Sequence, residues 1–282
     1  MVGGKRQFFL GVGAPRSGTT WLYKNIRASS DLYLPPVKEL RFFKGVRPQE
    51  SKAEQAAQIL AENHITDEDR GFVDAWCKVT DGDVSQYLSM FPGRPKIGEI
   101  SPIYSTLNSK EIAVIREVLE PLDAKVFYML RNPFLRDISH IVFAMHRLRN
   151  RKSPYSVEEY RAFVDTRLFT RRSNYQRNVR VWRSAFRKDF RVFYYDELDK
   201  SPKTFFHKFA TDLGLDYNPD KITGVKENKS GHQGNYPVAL PKAILHHLRD
   251  RHEASIPASK AITQRYKKKW LAEIEAYFAK DA

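Results

Sequence analysis

Gly11-Val12-Gly13-Ala14-Pro15-Arg16-Ser17-Gly18-Thr19-Thr20-Trp21, entered through the apolar run Phe8-Phe9-Leu10-Gly11-Val12, is the stretch that decides the fold. An unbroken apolar run of this length fits a strand buried on both faces, and residues 19–26 after the glycines read as a helix. The same grammar recurs further on. Lys125-Val126-Phe127-Tyr128-Met129-Leu130 is followed by Pro133, placed to open a helix running through Met145. Phe190-Arg191-Val192-Phe193-Tyr194-Tyr195 is another strand, Pro202 heads a helix over 204–213, and Lys96-Ile97-Gly98 reads as a short strand. Strands alternating with helices predict an α/β fold, a central parallel sheet flanked by helices, with ligand sites at the strand C-termini. Amphipathic stretches at 51–63, 157–170 and 260–279 are expected to cover its faces. Residues 226–240, with Gly231, Gly234 and Pro237, form the longest loop. Without repeat, low-complexity segment or linker, one domain over residues 1–282 is the reading.

Composition sets the outer limits. The chain has 282 residues, 41% hydrophobic and 29% charged, too apolar for disorder and long enough for a large core. Lysine plus arginine exceeds aspartate plus glutamate by 48 − 33 = +15, which points to anionic partners. Cys77 is the only cysteine, which excludes an intramolecular disulfide, a CxxC pair and a thiolate-rich zinc site, and suggests a reducing, cytoplasmic setting. Lys5 and Arg6 precede an apolar run too short for a secretory signal. No stretch approaches the ~20 apolar residues of a membrane span.

A glycine-rich turn between a buried strand and a helix aims backbone N–H groups and the helix N-terminus at one point, a ready seat for a phosphate. Thr19 and Thr20 can add hydroxyl donors. The pattern GxxxxGK[ST] nearly fits at residues 13–20, but Thr19 stands where the lysine for the β- and γ-phosphates belongs, so a triphosphate is badly served. Arg16 instead suits a short anion. The second constellation is Arg131-Asn132-Pro133-Phe134-Leu135-Arg136-Asp137-Ile138-Ser139, directly after a strand. Arg131 there can fork onto a phosphate, and Ser139 on the following helix can donate to the same group. Together the two sites describe a nucleotide with anions at two separate positions.

These residues resemble a known family. Pro15-Arg16-Ser17-Gly18-Thr19-Thr20-Trp21 is similar to the 5'-phosphosulfate loop of sulfotransferases that use 3'-phosphoadenosine 5'-phosphosulfate (PAPS), and Arg131 to Ser139 to their 3'-phosphate motif. Lys38-Glu39-Leu40-Arg41-Phe42-Phe43, Glu99-Ile100-Ser101-Pro102-Ile103-Tyr104 and Ser173-Asn174-Tyr175 resemble the heparan sulfate and related bacterial branch. The resemblance spans about residues 8–240. It implies that Arg16 contacts the phosphosulfate and stabilises charge on the departing nucleotide, while Ser17, Gly18, Thr19 and Thr20 hold the 5'-phosphate. Trp21 would lie against the adenine, although an aromatic on a first helical turn is as often core. Arg131 and Ser139 would hold the 3'-phosphate, and Lys229, Ser230 and Gly231 would close over the nucleotide. The loop has Arg16 where many members have lysine, and Ile100 stands where the heparan branch often has lysine. One cysteine also cannot form the late-loop disulfide of its lumenal members.

Sulfuryl transfer needs a base, an in-line approach and positive charge where the leaving phosphate gains electrons. No metal is expected, since arginine and lysine supply that charge. The resemblance puts the base at Glu39, with Lys38 beside it; the alternative is a surface pair before an aromatic core. Both can enter the site only if the chain turns there, and Pro35-Pro36 upstream allows that. Glu99 is the competing base, with His140 and His146 behind; His140, next to Ser139, reads as a satisfied surface histidine. Residues 147–187 carry twelve Lys/Arg and three Asp/Glu, 12 − 3 = +9 of the net charge. That charge marks either an acidic acceptor or a solvated helix face. Tyr104, Phe143, Tyr155, Tyr160 and Tyr175 are candidates to line an acceptor pocket. The expected partner is a hydroxyl-bearing acceptor, carbohydrate or another acidic molecule, with no nucleic acid and no membrane span. A P-loop small-molecule kinase and a non-catalytic polyanion-binding or nucleic-acid-binding module remain the rivals.

Overall fold

Alternation within each apolar run divides its side chains between two buried layers. The computed structural model describes residues 5–44, 49–62, 65–80, 82–147, 149, 153–224 and 239–279. Strands β1 (Gln7–Gly13), β2 (Lys96–Ile100), β3 (Asp123–Leu130) and β4 (Phe190–Tyr194) form one parallel sheet in the order β2-β1-β3-β4. Phe8, Leu10 and Val12 of β1 pack on one face with Val126, Tyr128 and Leu130 of β3. Phe9, Phe127, Met129 and Phe193 pack on the other, against Trp21, Leu22 and Ile26 of helix α1 (Thr19–Ser29). Burial on both faces is why these strands read as continuous apolar runs. Because the chain leaves β1 toward β2 and then crosses back to β3, its direction reverses at the carboxyl end of β1, where open α/β sheets bind ligands.

The helices follow the expected grammar with several departures. Helix α2 begins at Pro133 but is α-helical only over Pro133–Ile141; a π-helical turn, Val142–Arg147, takes its place where one continuous helix was expected. The stretch 157–170 breaks into Val157–Val164 and α3 (Arg167–Ser173), because the Thr166 side chain accepts the Phe169 amide and starts a new helix. Helix α4 (Tyr175–Phe186) then follows, and its basic residues hid it within the charge run. The β4 run ends one residue early, with Tyr195 opening a short helix, Tyr195–Lys200. Helix α5 (Pro202–Leu213) starts at its proline, α6 (Lys242–Ala258) was unforeseen, and α7 (Gln264–Ala279) begins four residues later than expected. Residues 225–238, nearly all of the expected long loop, lie outside the described residues. Among the described residues no helix is long and apolar enough to cross a membrane.

Phe209 of α5 is fully buried, with its ring 5.2 Å from Phe127 and 4.9 Å from Phe193. Phe209→Ala is expected to cost about 3–5 kcal/mol in urea unfolding. A loss under about 1 kcal/mol, the size of an ordinary surface change, would mean this layer is not the tight core described.

Candidate functional site

Beyond Gly13 the chain turns through Arg16 (φ 66°) and Gly18 (φ 83°) into α1. At Gly18 a side chain is excluded twice: the φ is left-handed, and a Cβ would lie 2.8 Å from Leu198 and 2.9 Å from Tyr195. Gly18 caps α1 without a side-chain hydrogen bond, and the first turn holds no acidic residue. The opening amides of α1 therefore keep their capacity for an anion. Ser17 and Thr19 are buried under the turn, and Thr20 is exposed.

The second motif closes on the first. Arg131, one residue past β3, donates from Nη1 to the Arg16 carbonyl at 3.0 Å, and its guanidinium lies 4.6 Å from the Tyr195 ring centroid. The Tyr175 hydroxyl donates to the Arg131 carbonyl at 2.9 Å. Arg16 donates from Nε to Ser139 Oγ at 3.1 Å and stacks on Phe143 at 4.6 Å. Arg16 thus shares one basin at the carboxyl edge of the sheet with Arg131 and Ser139, both more than a hundred residues further along the chain. Trp21 takes the core alternative. It packs edge-on against Phe205 and Phe206, and its indole donates to the Thr223 carbonyl at 3.0 Å. Lys229, Ser230 and Gly231 lie outside the described residues.

Lys38 and Glu39 do share a turn. Glu39 and Arg41 have φ of 59° and 58°, which swings both side chains to one side. Lys38 Nζ donates to Glu39 Oε1 at 2.9 Å and Arg41 Nη2 to Oε2 at 3.0 Å. Burial pushes the Glu39 carboxyl up, but Lys38 and Arg41 outweigh it and hold the group below the usual carboxylate range. Non-glycine residues in left-handed backbone tend to gather at functional sites, and Arg16, Glu39 and Arg41 are three of the four recorded among the described residues.

Arg172 of α3 joins the two halves. Burial, together with the nearby Arg136 and Arg41 guanidiniums, lowers its pKa to about 10, opposed by Glu39. It donates to His140 Nε2. His140 is not the expected surface histidine: it is buried, and desolvation plus Arg136, Arg172 and Arg16 push its pKa down to about 2, so it stays neutral. The charge run is neither a plain solvated face nor wholly available to a partner. Arg177 also turns inward, to the Leu107 carbonyl at 2.7 Å. Arg172 was missed because a guanidinium beside Ser173 looks like any other member of a basic stretch.

The other base candidates are placed away from solvent. His146 is buried, hydrogen-bonded to the Tyr160 hydroxyl at 2.7 Å. Glu99 is 1% exposed, and both its oxygens accept from hydroxyls, Tyr87, Tyr104 and Ser101. Of the aromatics expected around an acceptor, Tyr104, Tyr155, Tyr160 and Tyr175 are core, and Phe143 is half-buried beneath Arg16.

Helix α2, which carries Ser139, is fixed by a buried carboxylate. Asp137 accepts from Ser173 Oγ at 2.5 Å, meets His252 Nε2 at 2.8 Å and pairs with Arg136. Among the described residues no group of three His, Cys, Asp or Glu side chains is placed to hold a metal ion.

A family model described as Sulfotransferase family matches residues 9–219. A sulfotransferase from Alicyclobacillus acidocaldarius shares the fold with a TM-score of 0.56 at 20% identity, over 91% of this chain and 94% of that chain. Mouse sulfotransferase SULT7A1, complexed with PAP, does so with a TM-score of 0.51 at 15% identity, over 94% of this chain and 89% of that chain. No curated protein matches the chain.

The Asp137 network has a pH signature. Burial pushes its carboxyl up, yet Arg136 and His252 pull it down to about 2 from an ordinary 3.8. A depressed folded-state pKa gives stability that is complete above the unfolded value and is lost as pH falls toward the folded one. Asp137→Asn is expected to cost about 3–5 kcal/mol near neutrality, because it leaves Arg136 buried without its counter-charge. That deficit should narrow below pH 3.8. A deficit in urea unfolding that is flat with pH would mean the carboxyl is not ionised in the fold.

Proposed function

The chain belongs to the sulfotransferase family, and from that premise we propose that it moves the sulfuryl group of PAPS to an acceptor hydroxyl with Glu39 as general base. The observation that carries this reading is the meeting of Arg16, Arg131 and Ser139 beside the uncapped start of α1. That basin suits two anionic groups on one nucleotide and lacks the lysine a triphosphate site requires, which disfavours a kinase. The inward ties of Arg172 and Arg177 disfavour a module that binds polyanions through the basic stretch alone.

PAPS would supply an activated sulfuryl group; the protein supplies position, charge and a proton acceptor. The α1 amides with Ser17, Gly18, Thr19 and Thr20 would hold the 5'-phosphate, and Arg131 and Ser139 the 3'-phosphate. Lys229, Ser230 and Gly231 would complete the nucleotide site, and Trp21, packed in the core, would back it from below. Arg16 would stand where negative charge grows on the leaving phosphate, a role for fixed cations that needs no metal. Glu39 would take the acceptor proton once Lys38 or Arg41 turns to the substrate, since relief from either cation raises its basicity.

The resemblance of Lys38-Glu39 to the heparan sulfate branch supports the base assignment. Around Glu39 stand Lys38, Arg41 and Arg172, a cationic surround that favours an acceptor carrying an acidic group, carbohydrate or other. A lone cysteine supports a cytoplasmic setting.

Calorimetry tests the nucleotide assignment. Arg131→Ala should weaken 3'-phosphoadenosine 5'-phosphate about ten- to a hundredfold, since a hydrogen bond to a charged group is worth about 1.5–3 kcal/mol. The same change should leave adenosine 5'-phosphosulfate nearly untouched. Equal losses on both ligands would remove Arg131 from the 3'-phosphate. Glu39→Gln should keep nucleotide affinity while kcat falls about 10²–10⁴-fold. Retention of most activity would eliminate Glu39 as the base.

A further inference from the structure

Glu99 has no part in the chemistry proposed above, yet it is a buried carboxylate beneath the segment that carries Glu39. Its Oε1 accepts from the Tyr87 hydroxyl at 2.5 Å and from Tyr104 at 3.0 Å, and its Oε2 from Ser101 at 2.6 Å. It also bonds the backbone of Leu40. The hydroxyls pass the contact on: Ser101 Oγ accepts the Arg41 amide at 3.2 Å, and Tyr104 Oη accepts the Phe43 amide at 3.3 Å. Leu40, Arg41 and Phe43 are therefore all held, directly or through one hydroxyl, by a single carboxylate. The held segment includes Glu39 and Arg41 in left-handed backbone, a conformation that persists only where the surroundings over-determine it.

We infer that Glu99 is a positioning residue, which through Ser101 and Tyr104 fixes the turn that aims Glu39; the inference rests on Glu39 being the base. The chemistry requires an acceptor at position 99. A hydroxyl has one proton to give. The Glu99 carboxyl accepts the Ser101 and Tyr104 protons and leaves their lone pairs to the amides of Arg41 and Phe43; burial raises its pKa, and these same hydrogen bonds oppose the rise. A glutamine would donate to one of these hydroxyls and leave that hydroxyl's proton without its acceptor, so the relay to the amide would no longer be fixed. The anchor is also referenced to the rest of the site. Glu99 lies in β2 opposite Leu10 of β1, and the Ser101 amide donates to the Gly11 carbonyl at 2.9 Å. The base-bearing turn and the Arg16 turn are thus both set from the same pair of adjacent strands.

A double-mutant cycle on the full chain with PAPS and a turned-over acceptor tests this. Ser101→Ala and Tyr104→Phe each remove one relay hydroxyl and little volume, so they keep the experiment readable if Glu99→Gln fails to fold. Each is expected to lower kcat on the order of ten- to a hundredfold, as a small misplacement of a reacting group does, with nucleotide affinity unchanged. In a Glu39→Gln background, where no base remains to be aimed, the same changes should cost almost nothing more. Equal kcat losses in both backgrounds would reduce Ser101 and Tyr104 to general structural support and overturn the inference alone. Wild-type kcat in Glu39→Gln would overturn the base assignment and the inference with it.

Discussion

The position of β1 between two parallel neighbours is the constraint on which the rest depends. Its pairing with β2 on one side and β3 on the other brings the turns after all three strands to one edge. Those turns carry Arg16, Ser101 with Tyr104, and Arg131, and Glu99 sits near the end of β2. Parallel pairing fixes where each turn starts to within a residue, because a one-residue slip would turn every side chain to the opposite layer. The two fully packed layers make that slip costly, so the geometry of the site is inherited from the hydrophobic core.

Charge is the second organising force, and it runs in the opposite direction. Arg16, Arg136 and Arg172 are drawn together around His140 at a cost in desolvation and mutual repulsion, which keeps that histidine neutral and lowers the Arg172 pKa. Two carboxylates offset the cost from within the basin. Asp137 binds Arg136, and Glu39 faces Lys38, Arg41 and Arg172. Such a crowd of cations is poor structural economy and good preparation for anions, since a pre-arranged field spends nothing on reorganisation when charge develops. Glu39 therefore has two parts in the proposed chemistry, counter-ion at rest and proton acceptor in the reaction.

The sequence placed residues rightly where structure is local and misplaced them where it is shared. Strand, glycine turn and helix are neighbours in the chain, so the Arg16 loop and the Arg131 turn were legible from residues alone. The Lys38–Glu39 turn was legible only as a requirement that the chain bend, and the residues around Glu99 gave no sign that it is buried under three hydroxyls. An acidic residue at a strand end looks the same whether it faces substrate or three hydroxyls. His140 was misjudged for the same reason, its burial being set by α3 more than twenty residues away.

The parallel α/β fold and the turns after β1 and β3 follow from the sequence, because apolar periodicity, glycine placement and proline starts act over a few residues. Contacts across the fold set Trp21 in the core, turn Arg172 inward to His140, and bury Glu99 while Glu39 faces the cations. These depend on which side chains meet across the sheet edge from distant parts of the chain. Burial and charge pairing there are properties of the assembled neighbourhood, and no single stretch of the chain encodes them.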